Sequence, residues 1–134
     1  MKAQAATEYV AIIAIGLLIL IPIVAYLNDL YISYRDENKI ASAKTAAIKI
    51  TSISNWIFSQ GEPAKNIIQV YIPPDVERIS FVNNSIVFDV VTRSGIQQIR
   101  EYSVAALTGN VTNKEGYYYI LIQATDNGVS ISVI

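Results

Sequence analysis

The chain has no cysteine and no histidine. Without cysteine there is no disulfide and no thiolate metal site, and cysteine usage does not report a redox compartment. Without histidine the commonest general base, metal ligand and pH switch are missing together. Catalysis would have to run on carboxylates or lysine, so we expect no enzyme, no cofactor and no metal. Charge is also scarce. Charged residues make up 16 % of the chain and apolar ones 52 %, and the shortfall in charge is concentrated at the N-terminus. The net charge is −1 with no block of like sign, which argues against a nucleic-acid surface. With 134 residues there is room for one compact domain and an extension. No repeat of 20–50 residues and no low-complexity linker interrupts it.

What is present begins with a run of 19 residues, Tyr9 to Leu27, that carries no charge. As a helix it would be about 28 Å long, close to the hydrocarbon thickness of a bilayer. A secretory signal would have a shorter apolar region followed by small residues at a cleavage site. Here the small residues precede the run, and Asn28 and Asp29 follow it, so the run is expected to be retained. Lys2 is the only basic residue before it, which points to an N-terminus-in orientation with residues 28 onward outside the cytoplasm. Glu8 heads the run. An ionisable group at such an edge is a functional candidate by default, against the plainer reading of a solvated residue at a membrane boundary. Pro22 removes one helical hydrogen bond, a harmless kink or a flexible point for transfer from bilayer to assembly. Ala11, Ala14 and Gly16 are small enough to let another helix approach.

Helical signals continue past the run. Neither Gly nor Pro occurs from Asp29 to Ser59, and Ile40, Ala43, Ala47, Ile50, Ser54 and Ile57 recur at spacings of three and four. Lys39, Lys44 and Lys49 lie largely off that stripe, and Trp56 and Phe58 suggest that the last turns dock on a core. Tyr26, Tyr31 and Tyr34 sit where an interfacial aromatic belt is expected. One helix over about residues 5–59 follows, stopped by Gly61 and Pro63.

Beyond Pro63 the period becomes two. Strands are expected at 67–72, 78–82, 86–91, 96–104, 117–124 and 129–134, with turns at Pro73-Pro74-Asp75, Asn83-Asn84, Ser94-Gly95, Gly109-Asn110 and Asp126-Asn127-Gly128. The expected fold class is α+β: a long N-terminal hydrophobic helix followed by a small antiparallel β-domain, sandwich or barrel, in a lollipop-like layout. The sheet's apolar face should cover the helix stripe. In Tyr117-Tyr118-Tyr119 a strand places Tyr118 opposite its neighbours, for packing or for adhesive or subunit contact. Asp75, Glu77, Asp89, Glu101 and Asp126 show no ligand spacing and read as solvated charges, although a calcium site is a further option.

Lys2-Ala3-Gln4-Ala5-Ala6-Thr7-Glu8-Tyr9 and the apolar run closely resemble the class III signal peptide of archaeal type IV pilin-like proteins. In that family a short basic leader ends in a small residue, then come Gln at mature position one, Glu at position five and an apolar helix. The resemblance implies cleavage between Ala3 and Gln4 by a prepilin-type peptidase. Residues 1–3 would be the leader, 4–60 the long helix with 9–27 as its membrane and filament-core part, and 64–134 the β-domain. The leader is short, and Ala6 stands where many relatives carry Ser or Thr. Bacterial tight-adherence pilins share the Glu-Tyr pair but are much shorter, and archaellins are typically larger.

Gln4 and Glu8 are four apart, on one helix face. A helix N-terminus favours a carboxylate there. Buried among apolar helices, that carboxylate would need a partner, and the α-amino group freed at Gln4 is the natural one. The resemblance thus implies a structural pilin: a helical homopolymer at the cell surface, used for adhesion, with a membrane-inserted precursor, the peptidase and the pilus assembly machinery as partners. Pro22 is the candidate flexible point in assembly. Asn83 and Asn110 begin Asn-x-Ser/Thr sequons in expected turns and are candidate N-glycan sites. The alternative is a single-span anchor whose extracellular β-domain binds a ligand or partner without polymerising.

Overall fold

The computed structural model describes every residue from Met1 to Ile134. A single α-helix, α1 (Lys2–Gln60), is followed by β1 (Lys65–Ile72), β2 (Val76–Val82), β3 (Ser85–Thr92), β4 (Gly95–Tyr102), β5 (Leu107–Asn110), β6 (Gly116–Thr125) and β7 (Gly128–Val133). The fold is therefore α+β, a long N-terminal helix and then a small, mostly antiparallel β-domain. The chain divides into two compact units, residues 1–35 and 36–134.

The first unit is helix alone. Every residue in it is exposed except Ile32, which is half-buried. Pro22 lies inside α1 without ending it. The helix continues because proline costs one hydrogen bond and a local clash, while the flanking Ile and Leu keep the neighbouring turns helical.

The second unit starts in the middle of the same helix. Its residues Ala43, Ala46, Ala47, Ile50 and Ile57 are almost fully buried, which matches a stripe spaced three and four apart. Ser54 and Thr51 interrupt the stripe without leaving a polar orphan. Ser54 Oγ donates to the Ile50 carbonyl at 2.7 Å, and Thr51 Oγ1 to that of Ala47 at 3.0 Å. Gly61 ends the helix with φ of +74°, a left-handed geometry that glycine adopts without penalty.

The strands form two sheets, ordered β1-β6-β7-β5 and β2-β3-β4. Their inward residues, among them Val70, Ile72, Phe88, Val90, Ile120, Ile122 and Ile131, join the helix stripe in one core. Alternation sets these faces: in β7, Val129 and Ile131 are buried while Ser132 is exposed. In β6, Tyr118 packs against the core while Tyr117 and Tyr119 face outward.

Three expectations need correction. The stretch 96–104 is not one strand: β4 stops at Tyr102, and a separate strand, β5, begins at Leu107. Gly109-Asn110 is consequently no turn but part of β5, which runs parallel to β7. Gly109 is required there, because a Cβ would lie 1.8 Å from the Ile131 carbonyl oxygen and φ is +138°. Trp56 and Phe58 do not dock on the core. They are 54 % and 38 % exposed, because Ile57 takes the inward position between them.

Candidate assembly site

Ala3, Gln4 and Glu8 lie in the first two turns of α1, all exposed. The spacing of four sets Gln4 and Glu8 on one face, and Thr7 Oγ1 donates to the Ala3 carbonyl at 2.8 Å. The helix-dipole argument for Glu8 weakens here. No acidic residue occupies the first turn, and the dipole's influence falls off beyond it. Stabilisation of a buried Glu8 carboxylate would have to come from a discrete cation rather than from the helix dipole.

From Tyr9 to Leu27, every Tyr, Val, Ile and Leu is exposed, between 47 % and 70 %. Each would gain about 1.5–3 kcal/mol on full burial, so together the run holds tens of kcal/mol of unsatisfied apolar surface. Soluble monomers rarely carry so large an apolar patch. The helix is long and apolar enough to cross a membrane, with none of its most hydrophobic window buried. Gly16 has open space around it, so nothing within the chain uses the close approach it permits.

The compact unit holds a second cluster that the sequence pattern concealed. Lys39, expected largely off the stripe, is only 9 % exposed. Its ammonium lies 2.9 Å from Asp36 Oδ1, donates to Asp75 Oδ2 at 3.0 Å and to the Val91 carbonyl at 3.2 Å. Asp36 also accepts the Arg93 backbone N–H at 2.9 Å, so one helical turn holds both the β1–β2 turn and the β3–β4 hairpin. The hydrogen bond with Asp36 raises the Lys39 pKa above its ordinary value, burial works against it, and Asp75 adds to the rise. The Asp36/Lys39 spacing of three was a visible signal; Asp75 joins only through tertiary structure. Asp89 also departs from the solvated reading, since its Oδ1 is buried and accepts no hydrogen bond.

Asn55 ties the other end of the helix down. Its Oδ1 accepts from Ser103 Oγ at 2.6 Å and from the Val104 N–H at 2.8 Å. The two sequon asparagines are exposed, Asn83 in the β2–β3 turn with φ of +55° and Asn110 at the end of β5. They differ at the third position: Ser85 is 1 % exposed and donates to the Val82 carbonyl at 2.9 Å, whereas Thr112 is half-buried.

No family model, curated protein or solved structure matches the chain. The functional reading rests on the residues and their geometry.

Proposed function

We propose that this chain is the structural, non-catalytic subunit of a type IV pilus-like surface filament. The observation that carries the reading is the wholly exposed, charge-free helix from Tyr9 to Leu27, headed by Glu8 and continuous with a helical segment that is built into a β-domain core. Lipid covers that surface in the precursor, and packed helices of other copies cover it in the polymer. Cleavage between Ala3 and Gln4 creates an α-amino group that pairs with Glu8 of the same or a neighbouring copy and sets axial register. The β-domain then faces the outside, where Asn83 and Asn110 accept glycans and the filament serves adhesion.

The test is Glu8→Leu, expressed in the native cells. The variant still inserts into membranes, because the change makes the helix more apolar, but it forms no filaments. Normal filaments from Glu8→Leu cells would remove the register role. The apolar helix equally suits a monomeric anchor. That reading requires wild-type chain that remains single in the membrane under conditions in which the cells make filaments.

A further inference from the structure

Within the compact unit an open trough of about 380 Å³ runs between α1 and the sheet edge at β1. Its size falls in the small-ligand range of roughly 300–1,000 Å³. It exists because the helix face beside the sheet is built from small residues. Ala41, Ser42, Thr45 and Ala46 leave space where larger aliphatics would have filled it. The opposite wall is aromatic: Tyr71 and Tyr117 are register partners across β1 and β6, with ring centroids 4.9 Å apart and planes inclined by 44°. Tyr117 is 70 % exposed.

The hydrogen-bonding groups along the trough are neutral, Lys49 excepted. Asn38 and Gln69 contribute amides, and Ser42, Thr45 and the two tyrosines contribute hydroxyls. Thr45 donates its proton to the Ala41 carbonyl at 2.9 Å, and Tyr71 donates to Glu115 Oε1 at 3.2 Å, so both oxygens remain acceptors. No carboxylate lines the trough. The Lys49 ammonium donates one hydrogen bond to the Gln69 carbonyl at 2.6 Å and keeps two N–H groups for a ligand's oxygens.

These features separate the candidate occupants. An apolar helix of a second copy would bury amides and hydroxyls without partners, at a cost of about 1–3 kcal/mol each. An added β-strand would need the open edge of β1, and Lys49 already fills the Gln69 acceptor there. An anionic ligand would meet a single cation, Lys49, in a lining otherwise made of neutral groups. A polyhydroxylated neutral ligand meets every requirement: its C–H faces stack on the tyrosine rings, and its hydroxyls both donate to and accept from amides and hydroxyls. We infer that the trough is a binding site for a neutral oligosaccharide. The inference concerns one copy and stands apart from polymerisation.

The experiment uses the full chain in micelles of a non-glycosidic detergent, titrated separately with chitotriose, cellotriose and mannotriose. Aromatic NMR resonances of the tyrosine rings are followed. At least one trisaccharide should shift Tyr71 and Tyr117 saturably. Tyr117→Ala should weaken that binding about tenfold or more, the loss of one stacking face. Thr45→Leu should abolish it by filling the trough, while Tyr119→Ala, on the same strand face but outside the trough, should leave it unchanged. The dispersion of the backbone amide NMR resonances reports that each variant is folded. Absence of a saturable shift with all three sugars overturns the proposal, as does wild-type affinity in folded Tyr117→Ala. Binding of an uncharged peptide in place of the sugars also overturns it.

Discussion

The two halves of α1 share a backbone and differ in almost everything else. From Lys2 to Arg35 no residue is buried. From Asp36 to Gln60 eight are, including a lysine, a threonine and a serine, each with its polar atom hydrogen-bonded. In the second half, stability comes from apolar burial in a shared core. The first half has no such core, and its apolar side chains stay exposed. Local helical order is therefore a poor guide to where a chain's own packing ends: here that boundary falls in mid-helix, at a charged turn.

The comparison breaks most visibly by mutation on either side. Phe88→Ala removes a side chain that is fully buried and should lower stability by about 3–5 kcal/mol, read by denaturant unfolding of the full chain in micelles. Ile15→Ala, a residue 58 % exposed, should change the same transition by less than about 0.5 kcal/mol. A matching loss from Ile15→Ala would mean that the first half owns a core of its own.

The Lys39 cluster offers a sharper cut at the boundary. Lys39→Met removes the ammonium shared by Asp36, Asp75 and the Val91 carbonyl and should cost about 1–3 kcal/mol in the same assay. Because folding raises the Lys39 pKa, its contribution is fully present below the ordinary value of 10.5 and fades as pH rises through the folded value. Wild type should therefore lose stability on the alkaline side more steeply than Lys39→Met; parallel curves would remove the cluster's role. Smaller still is Asn55→Ala, which frees Ser103 Oγ and the Val104 N–H. About 1–2 kcal/mol should be lost, with faster amide exchange at Val104 and Ala105 than in β1.

Much of this was legible in the sequence, for identifiable reasons. The helix, its stripe and six of the strands follow from periodicities of 3.6 and 2, and Ser130 and Ser132 mark the outer face of β7 unaided. β5 was not legible. Its four residues include Gly109-Asn110, a pair that locally favours a turn, and it exists through parallel pairing with β7 some twenty residues away in the chain. Trp56 misled because bulk suggests burial, whereas helical phase assigns the inward position to Ile57. For the candidate assembly site, Gln4, Glu8 and the apolar run are contiguous and hence readable. The trough is not readable, since only β1–β6 register and helix docking bring Gln69 and Tyr117 beside Thr45.

Electron microscopy of the native surface material, combined with N-terminal sequencing of its subunit, tests the central claim most directly. The account predicts helical filaments whose subunit begins at Gln4, so that the new amine and Glu8 coexist in the polymer. Chain recovered only as unpolymerised membrane protein, with Ala3 still joined to Gln4, would contradict it.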